Sequence, residues 1–231
     1  ELIEDVDNIF LAGFTSTSSE AVVGMPFGAI YGDGFRYDDD GNLLIGADGW
    51  PLVDPSKRAL GDPNPDFLLG IRNTFSYKGV SLSALLDIRQ GGDVWCGTCG
   101  IIDYFGTSQV SADERGDVVV FDGLLPDGTP NDIAVPLADP TSGLGSYYRV
   151  RYGFGGISEM SIYDASWVRL RELTLSYTIP KSVFKGKVEN MSIALTGRNL
   201  WLNTDYPGID PETNLTGASN GIGLDYFNMP N

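Results

Sequence analysis

Residues Phe67 to Gln90, FLLGIRNTFSYKGVSLSALLDIRQ, alternate between apolar and polar positions with a period of two. Phe67, Leu69, Ile71, Phe75 and Tyr77 are apolar, while Gly70, Arg72, Thr74 and Ser76 are small or polar. After Lys78-Gly79 the alternation resumes, with Val80, Leu82, Ala84, Leu86 and Ile88 against Ser81, Ser83, Asp87 and Arg89. Such a pattern predicts a β-hairpin with a two-residue turn and one greasy face. It returns further on, where Leu173, Leu175 and Tyr177 alternate with Glu172, Thr174 and Ser176. Val168 and Leu170 sit on the other parity, which predicts a bulge near Arg171. In MSIALTGRNLW, Met191, Ile193, Leu195 and Trp201 stand against Ser192, Thr196 and Arg198.

Elsewhere 30 glycines and 13 prolines punctuate the chain too often for long helices. Residues 1–60 read as extended and loop segments with short hairpins. There Asp40-Gly41 and Asp48-Gly49 separate short apolar runs, as tight turns require. Residues 61–231 hold the clear strands, interrupted by a long, irregular, acidic stretch at about 91–163. Within it DVVVFDGLLPDG, Asp117 to Gly128, predicts a local hairpin, and the segment after Trp201 reads as loop.

What the greasy face touches decides the fold class. The eleven residues Phe67–Tyr77 extend about 36 Å and, tilted by about 45°, cover about 25 Å, the height of the apolar band of a membrane barrel. Tyr77, Trp167, Tyr177 and Trp201 stand at or near strand ends, where interfacial girdles place aromatics. Connections alternate between short and long, with Lys78, Lys181, Lys185 and Lys187 on the short side and the acids on the long side. These features in phase predict an all-β, antiparallel transmembrane β-barrel segment with long extracellular loops. The alternative is a soluble, secreted β-sandwich that binds carbohydrate or acts as a glycosidase through two carboxylates.

Charge and composition narrow the function. A net charge of −16 with a pI near 4.1 leaves nothing to neutralise a phosphate backbone, which excludes nucleic acid as a partner. Histidine is absent, which removes the commonest general base and every histidine metal site. No apolar run is long enough for a transmembrane helix, a limit that does not apply to barrel strands. No enzyme is indicated and no cofactor is implied. Asp38, Asp39, Asp40 and Asp48 raise calcium as a reading, but the glycine position and closing glutamate of an EF-hand are missing, which favours turn chemistry. Cys96 and Cys99, in WCGTCG, form a lone C-x-x-C that is open to a local disulfide, two thiols or a redox half-site.

Together GDPNPDFLLGIRNTFSYKGVSLSALLDIRQGGDVW, DASWVRLRELTLSYTIPKS, LTGRNLW, TDYPGIDPETN and GLDYFNMPN resemble the carboxy-terminal part of SusC/RagA-type TonB-dependent transporters of Bacteroidota. Each phrase is soft alone; their order and spacing over Gly61–Asn231 make the match specific. The resemblance implies a barrel of about 22 strands in the bacterial outer membrane, plugged by an amino-terminal domain. It implies import of oligosaccharides or peptides, energised by TonB through the plug, beneath a SusD-like surface lipoprotein that acts as a lid. The chain would then be a fragment, without plug, TonB box, signal peptide or a final strand ending in an aromatic residue.

In that frame Arg72, Asp87, Arg89, Arg169, Arg171, Glu172 and Arg198 face the barrel interior, Arg169 and Arg171 depending on where the bulge falls. They would contact plug or substrate, or form a salt-bridge network between strands. The loop aromatics Trp95, Tyr104, Phe105, Tyr147 and Tyr148 are candidates for stacking on substrate, for packing on the lid, or for anchoring the loop on itself. A Cys96–Cys99 disulfide would stiffen the loop at the outer mouth.

Overall fold

The computed structural model describes residues 7–14, 16–138, 147–152, 157–185, 187–215 and 221–227. The chain forms two units, one of Pro65–Gly91 and Ala165–Tyr206, the other of residues 1–64, 92–164 and 207–231. Most ordered segments are strands in antiparallel sheets, and the helices are short. In chain order the first unit met holds β1 (Asn8–Gly13), β2 (Thr17–Val22), β3 (Ala29–Phe35) and β4 (Val53–Gly61). The second supplies β5 (Phe67–Tyr77) and β6 (Val80–Gln90). There follow β7 (Asp93–Cys96), α1 (Gly97–Tyr104), α2 (Gln109–Asp113), β8 (Val118–Val119), β9 (Val135–Pro136), α3 (Tyr147–Tyr152) and β10 (Ile162–Asp164). The long strands β11 (Trp167–Ile179) and β12 (Met191–Asn203) complete the second unit, and β13 (Leu224–Asp225) lies in the first.

The second unit is an antiparallel sheet in the order β12-β11-β6-β5. β5 and β6 pair without a slip from Phe67↔Gln90 to Tyr77↔Val80. Lys78 and Gly79 close the hairpin with φ of 47° and 85°, the paired positive values of a type I′ turn, whose twist suits the flanking strands. The predicted bulge is present. The register of β11 breaks between Leu170 and Glu172 against both neighbours, leaving Arg171 as the extra residue. Its consequence is a change of parity. Leu170 stays beside Leu86 on one face, while Leu173 beside Ala84 continues that same face beyond the break. β12 takes up a further residue between Arg198 and Trp201, where Asn199 has φ 50°.

The larger unit is built differently. Its sheet runs β1-β2-β3-β4, and β2 buries polar side chains: Thr17, Ser18 and Ser19 are 1%, 1% and 0% exposed. Each has a partner, as burial demands. Thr17 Oγ1 lies 2.5 Å from Ser158 Oγ, Ser18 donates to Glu20 at 2.6 Å, and Ser19 donates to the Gly28 carbonyl. Glu159 ties β3 to β4 by accepting from the Phe35 amide at 2.7 Å and from Arg58 at 2.9 Å. Gly34 leaves room for that ion pair, because a Cβ would come within 2.2 Å of the Arg58 guanidinium and displace it. One apolar cluster joins Phe35, Trp50, Val135, Leu137, Tyr152 and Ile157; another joins Ile30, Trp95 and Leu224.

Between residues 91 and 164 the described residues form α1, α2, α3 and four short strands, more regular structure than the composition suggests. The hairpin expected within Asp117–Gly128 does not form. Val118–Val119 pairs instead with Val135–Pro136, and Leu124 bridges Leu44 and Pro130. The segment read as loop after Trp201 contains β13, which runs parallel to β7.

Candidate functional site

The β5-β6-β11-β12 sheet has two chemically distinct sides. Register places Phe67, Leu69, Ile71, Phe75 and Tyr77 beside Val80, Leu82, Leu86 and Ile88, then beside Leu170, Leu173, Leu175 and Tyr177, then beside Ile193, Leu195 and Trp201. Asn73 is the polar interruption on β5. Most of these side chains are open, Phe75, Tyr77 and Leu195 being 69%, 72% and 76% exposed, while Leu86, Ile88, Leu170 and Leu173 are half-buried. Three strand spacings by about 30 Å of strand give an apolar footprint on the order of 500 Å². A soluble monomer seldom leaves so much uncovered. Among the described residues nothing seals this side as the second layer of a sandwich would.

The reverse side is mostly polar, with Leu68, Leu85 and Leu202 as apolar exceptions. Nearest the Lys78-Gly79 turn, hydroxyls pair across strands: Ser76 with Ser81 at 2.7 Å, Thr74 with Ser83 at 3.1 Å, Thr174 with Thr196 at 3.0 Å. Beyond them come charges. Glu172 lies between Arg72 at 3.4 Å and Arg198 at 3.7 Å, and Arg171 donates to Asp87 at 2.9 and 3.2 Å and to Asn199 at 3.4 Å. The bulge settles the arginines: Arg169 pairs with Asp87 in register, so Arg169, Arg171 and Glu172 share one side. Partly exposed pairs of this kind contribute about 0–1 kcal/mol each. Backbone ladders, not these ion pairs, hold the sheet.

Trp167 does not join an interfacial girdle with Tyr77, Tyr177 and Trp201. It pairs with Arg89 and is buried on the polar side, with the Arg169 and Arg171 guanidiniums 5.4 and 5.2 Å from its ring. The parity of Val168 and Leu170 dictates this, since neighbours along a strand face opposite ways. Both short connections, at Lys78-Gly79 and between β11 and β12, leave the same end of the sheet, and Lys78, Lys181, Lys185 and Lys187 lie in or beside them.

The loop candidates have separate fates. Trp95 is core: it contacts Ile30 and Leu224, stacks on Tyr226 at 6.4 Å and 11°, and offers no face to a ligand. Phe105 is exposed and meets Tyr104 edge to face at 5.2 Å. The side chains of Tyr147 and Tyr148, on α3, lie outside the described residues. Cys96 and Cys99 are joined by a disulfide at the start of α1, both buried, with the Cys99 amide donating to Cys96 Sγ at 3.1 Å. Buried Asp225 accepts from Thr98 at 3.0 Å, and Thr98 Oγ1 in turn accepts from the Phe227 amide at 2.7 Å. The disulfide thus braces the strand-to-helix junction on which β13 docks, a role with no signal in the spacing of the cysteines.

Of the acids in the calcium reading, Asp38 and Asp48 accept turn amides. Asp38 accepts from the Asp40 and Asn42 amides and from the Asn42 side chain, which holds its carboxyl below the usual range. Burial works to raise Asp48, but the hydrogen bond and charge of Arg151, 2.9 Å away, outweigh it and the net direction is down. Asp93 goes the other way. Burial and the nearby carboxylates of Asp164 and Asp62 push it up, although its carboxylate accepts the Asp62 amide at 2.8 Å.

No family model matches the chain. TonB-dependent receptor P3 of Formosa agariphila is 29% identical over 202 residues, 84% of this chain and 18% of that protein. TonB-dependent receptor P26 of the same organism is 29% identical over 220 residues, 93% of this chain and 19% of that protein. The chain therefore spans under a fifth of the length of these curated relatives. In structure it is similar to the RagAB peptide importer, with TM-scores of 0.56 in the "open-open" and 0.54 in the "closed-closed" state. Both likenesses have 20% identity and cover 97% of this chain and 23% of the importer chain, a likeness of fold.

Proposed function

We propose that this chain, which by sequence and fold belongs with the SusC/RagA-type TonB-dependent transporters, builds part of an outer-membrane β-barrel through which a nutrient is imported. One observation carries the reading: the four-stranded sheet leaves a broad apolar side uncovered and pairs its charges and hydroxyls on the other. Acyl chains are the natural solvent of the first side, and an aqueous lumen of the second. The lysine-bearing short connections would face the periplasm.

Its mechanism is binding and gated passage rather than bond chemistry. Substrate would be held between long loops, a SusD-like lipoprotein lid and a plug, and released inward when TonB pulls on the plug. The structurally similar RagAB is a peptide importer, which supports peptides as one substrate class; oligosaccharides are the other. Cysteine labelling tests the two-sided sheet. In the intact protein in lipid vesicles, Thr74→Cys is expected to react with a charged, water-soluble maleimide. A fluorophore on Phe75→Cys is expected to be quenched by brominated lipid, the native cysteines being tied in their disulfide. Aqueous labelling of both positions alike, with no lipid quenching, would remove the membrane assignment.

A further inference from the structure

The polar side of the sheet carries charge opposite to that of the rest of the chain. Arg72, Arg89, Arg169, Arg171 and Arg198 stand there with Asp87 and Glu172, five guanidiniums to two carboxylates. The sheet unit holds nine Lys and Arg against five Asp and Glu, a formal +4; in a chain of −16 the larger unit therefore carries −20. An arginine excess on a polar, hydroxyl-lined surface attracts anions.

The excess is most accessible in one cross-strand row, Arg72–Leu85–Glu172–Arg198. Three strand spacings put the two arginine backbones about 14 Å apart, and both side chains reach toward Glu172 between them. The arginine side chains are 56% and 77% exposed, against 24% for Glu172. Arg72 donates to that carboxylate at 3.4 Å and Arg198 forms an ion pair with it at 3.7 Å, but each guanidinium has five N–H donors to place. A second carboxylate laid over the row could take up the donors that the two guanidiniums do not spend on Glu172.

We infer that this row is a carboxylate-binding site that takes acidic peptide segments moving along the polar side. The inference rests on the lumen reading proposed above and narrows its substrate class. Peptide fits better than acidic glycan, because sugar rings are commonly held on exposed aromatic faces. Among the described residues the aromatic on this side is Trp167, which is buried beneath Arg169 and Arg171. A glutamate side chain needs no such platform; it needs paired guanidiniums.

Binding of fluorescent triglutamate, triglutamine and trigalacturonate to the intact protein in detergent tests this by anisotropy. Triglutamate should bind about tenfold tighter than triglutamine at low salt and lose most of that margin at about 0.5 M salt. The double variant Arg72→Gln/Arg198→Gln should bind both peptides alike. Arg72→Lys/Arg198→Lys, which keeps the charge, should retain most of the preference. Equal binding of the two peptides by the parent protein, or an undiminished preference in the glutamine variant, overturns the inference. Tighter binding of trigalacturonate overturns the choice of peptide. Water-soluble labelling of Thr74→Cys is measured in parallel. Labelling without triglutamate binding sinks this site alone, whereas failure to label sinks the lumen reading on which it rests.

Discussion

Substituting Ile71 by arginine puts the central assignment at risk. Ile71 lies on the apolar side beside Leu86, six residues from Tyr77 in an unbroken ladder. Six residues are about 20 Å of strand and, at a tilt of about 45°, about 14 Å of depth below the tyrosine row. In an apolar band about 25 Å tall that is close to the midplane, where an arginine on the lipid side costs about 2–4 kcal/mol. The folding constant should fall by a factor of about 30 to 800. Phe75, two residues from the tyrosine row, is only about 5 Å deep, and Phe75→Arg should cost about 0–1 kcal/mol. Thr74 faces the other way, and Thr74→Arg gives up a 3.1 Å hydrogen bond to Ser83 in exchange for a hydrated charge, within about 1 kcal/mol of neutral. Urea titration of the intact protein folded into vesicles, followed by tryptophan fluorescence, measures all three. Were Ile71→Arg to change stability by less than about 0.5 kcal/mol, as at a water-exposed site, the lipid-facing assignment would fail. It would fail equally if Phe75→Arg proved as costly as Ile71→Arg, because a covering protein layer has no such depth profile.

Two further outcomes concern the larger unit. Cys96→Ala/Cys99→Ala, or reduction, should cost about 2 kcal/mol by loop entropy for so short a loop. The loss should appear as faster amide exchange in Gly97–Tyr104 and Leu224–Phe227, with the sheet of β5, β6, β11 and β12 unchanged; uniform protection throughout would contradict the bracing role. Asp93 is a carboxyl held above its unfolded value, so the folded state binds the extra proton and stability falls as pH rises from the unfolded value through the raised one. Asp93→Asn, which keeps an acceptor for the Asp62 amide, should therefore stabilise the unit at pH 7 and lose that gain below about pH 4. Thermal melts at pH 7 and pH 3.5 decide it, and a gain that persists at the lower pH would show that charge is not the cause.

The sheet was legible because its residues obey a local rule. Alternation over β5 and β6, the Lys78-Gly79 turn and the parity change at Arg171 all reappear at their positions. The same rule, applied one residue further, would have turned Trp167 to the polar side. The larger unit resisted reading for the opposite reason. Thr17, Ser18 and Ser19 look like a solvated loop yet are buried, because Ser158, Glu20 and the Gly28 carbonyl satisfy them. Ser158 comes from 141 residues away, beyond the reach of any window on the sequence. Between substrate stacking, lid packing and self-anchoring, Trp95 is decided by Leu224 and Tyr226, which pack upon it.

By itself, then, the order of residues determined where the strands run, which of their sides is oily and where the chain tightens, since these follow from a two-residue period and turn stereochemistry. Tertiary structure alone decided that no described residue covers the oily side, that Arg169 and Arg171 gather with Glu172 on the other, and that the cysteines brace a distant strand. Each of those depends on which strands become neighbours. Neighbourhood is a property of register summed over long separations, and no local pattern encodes it.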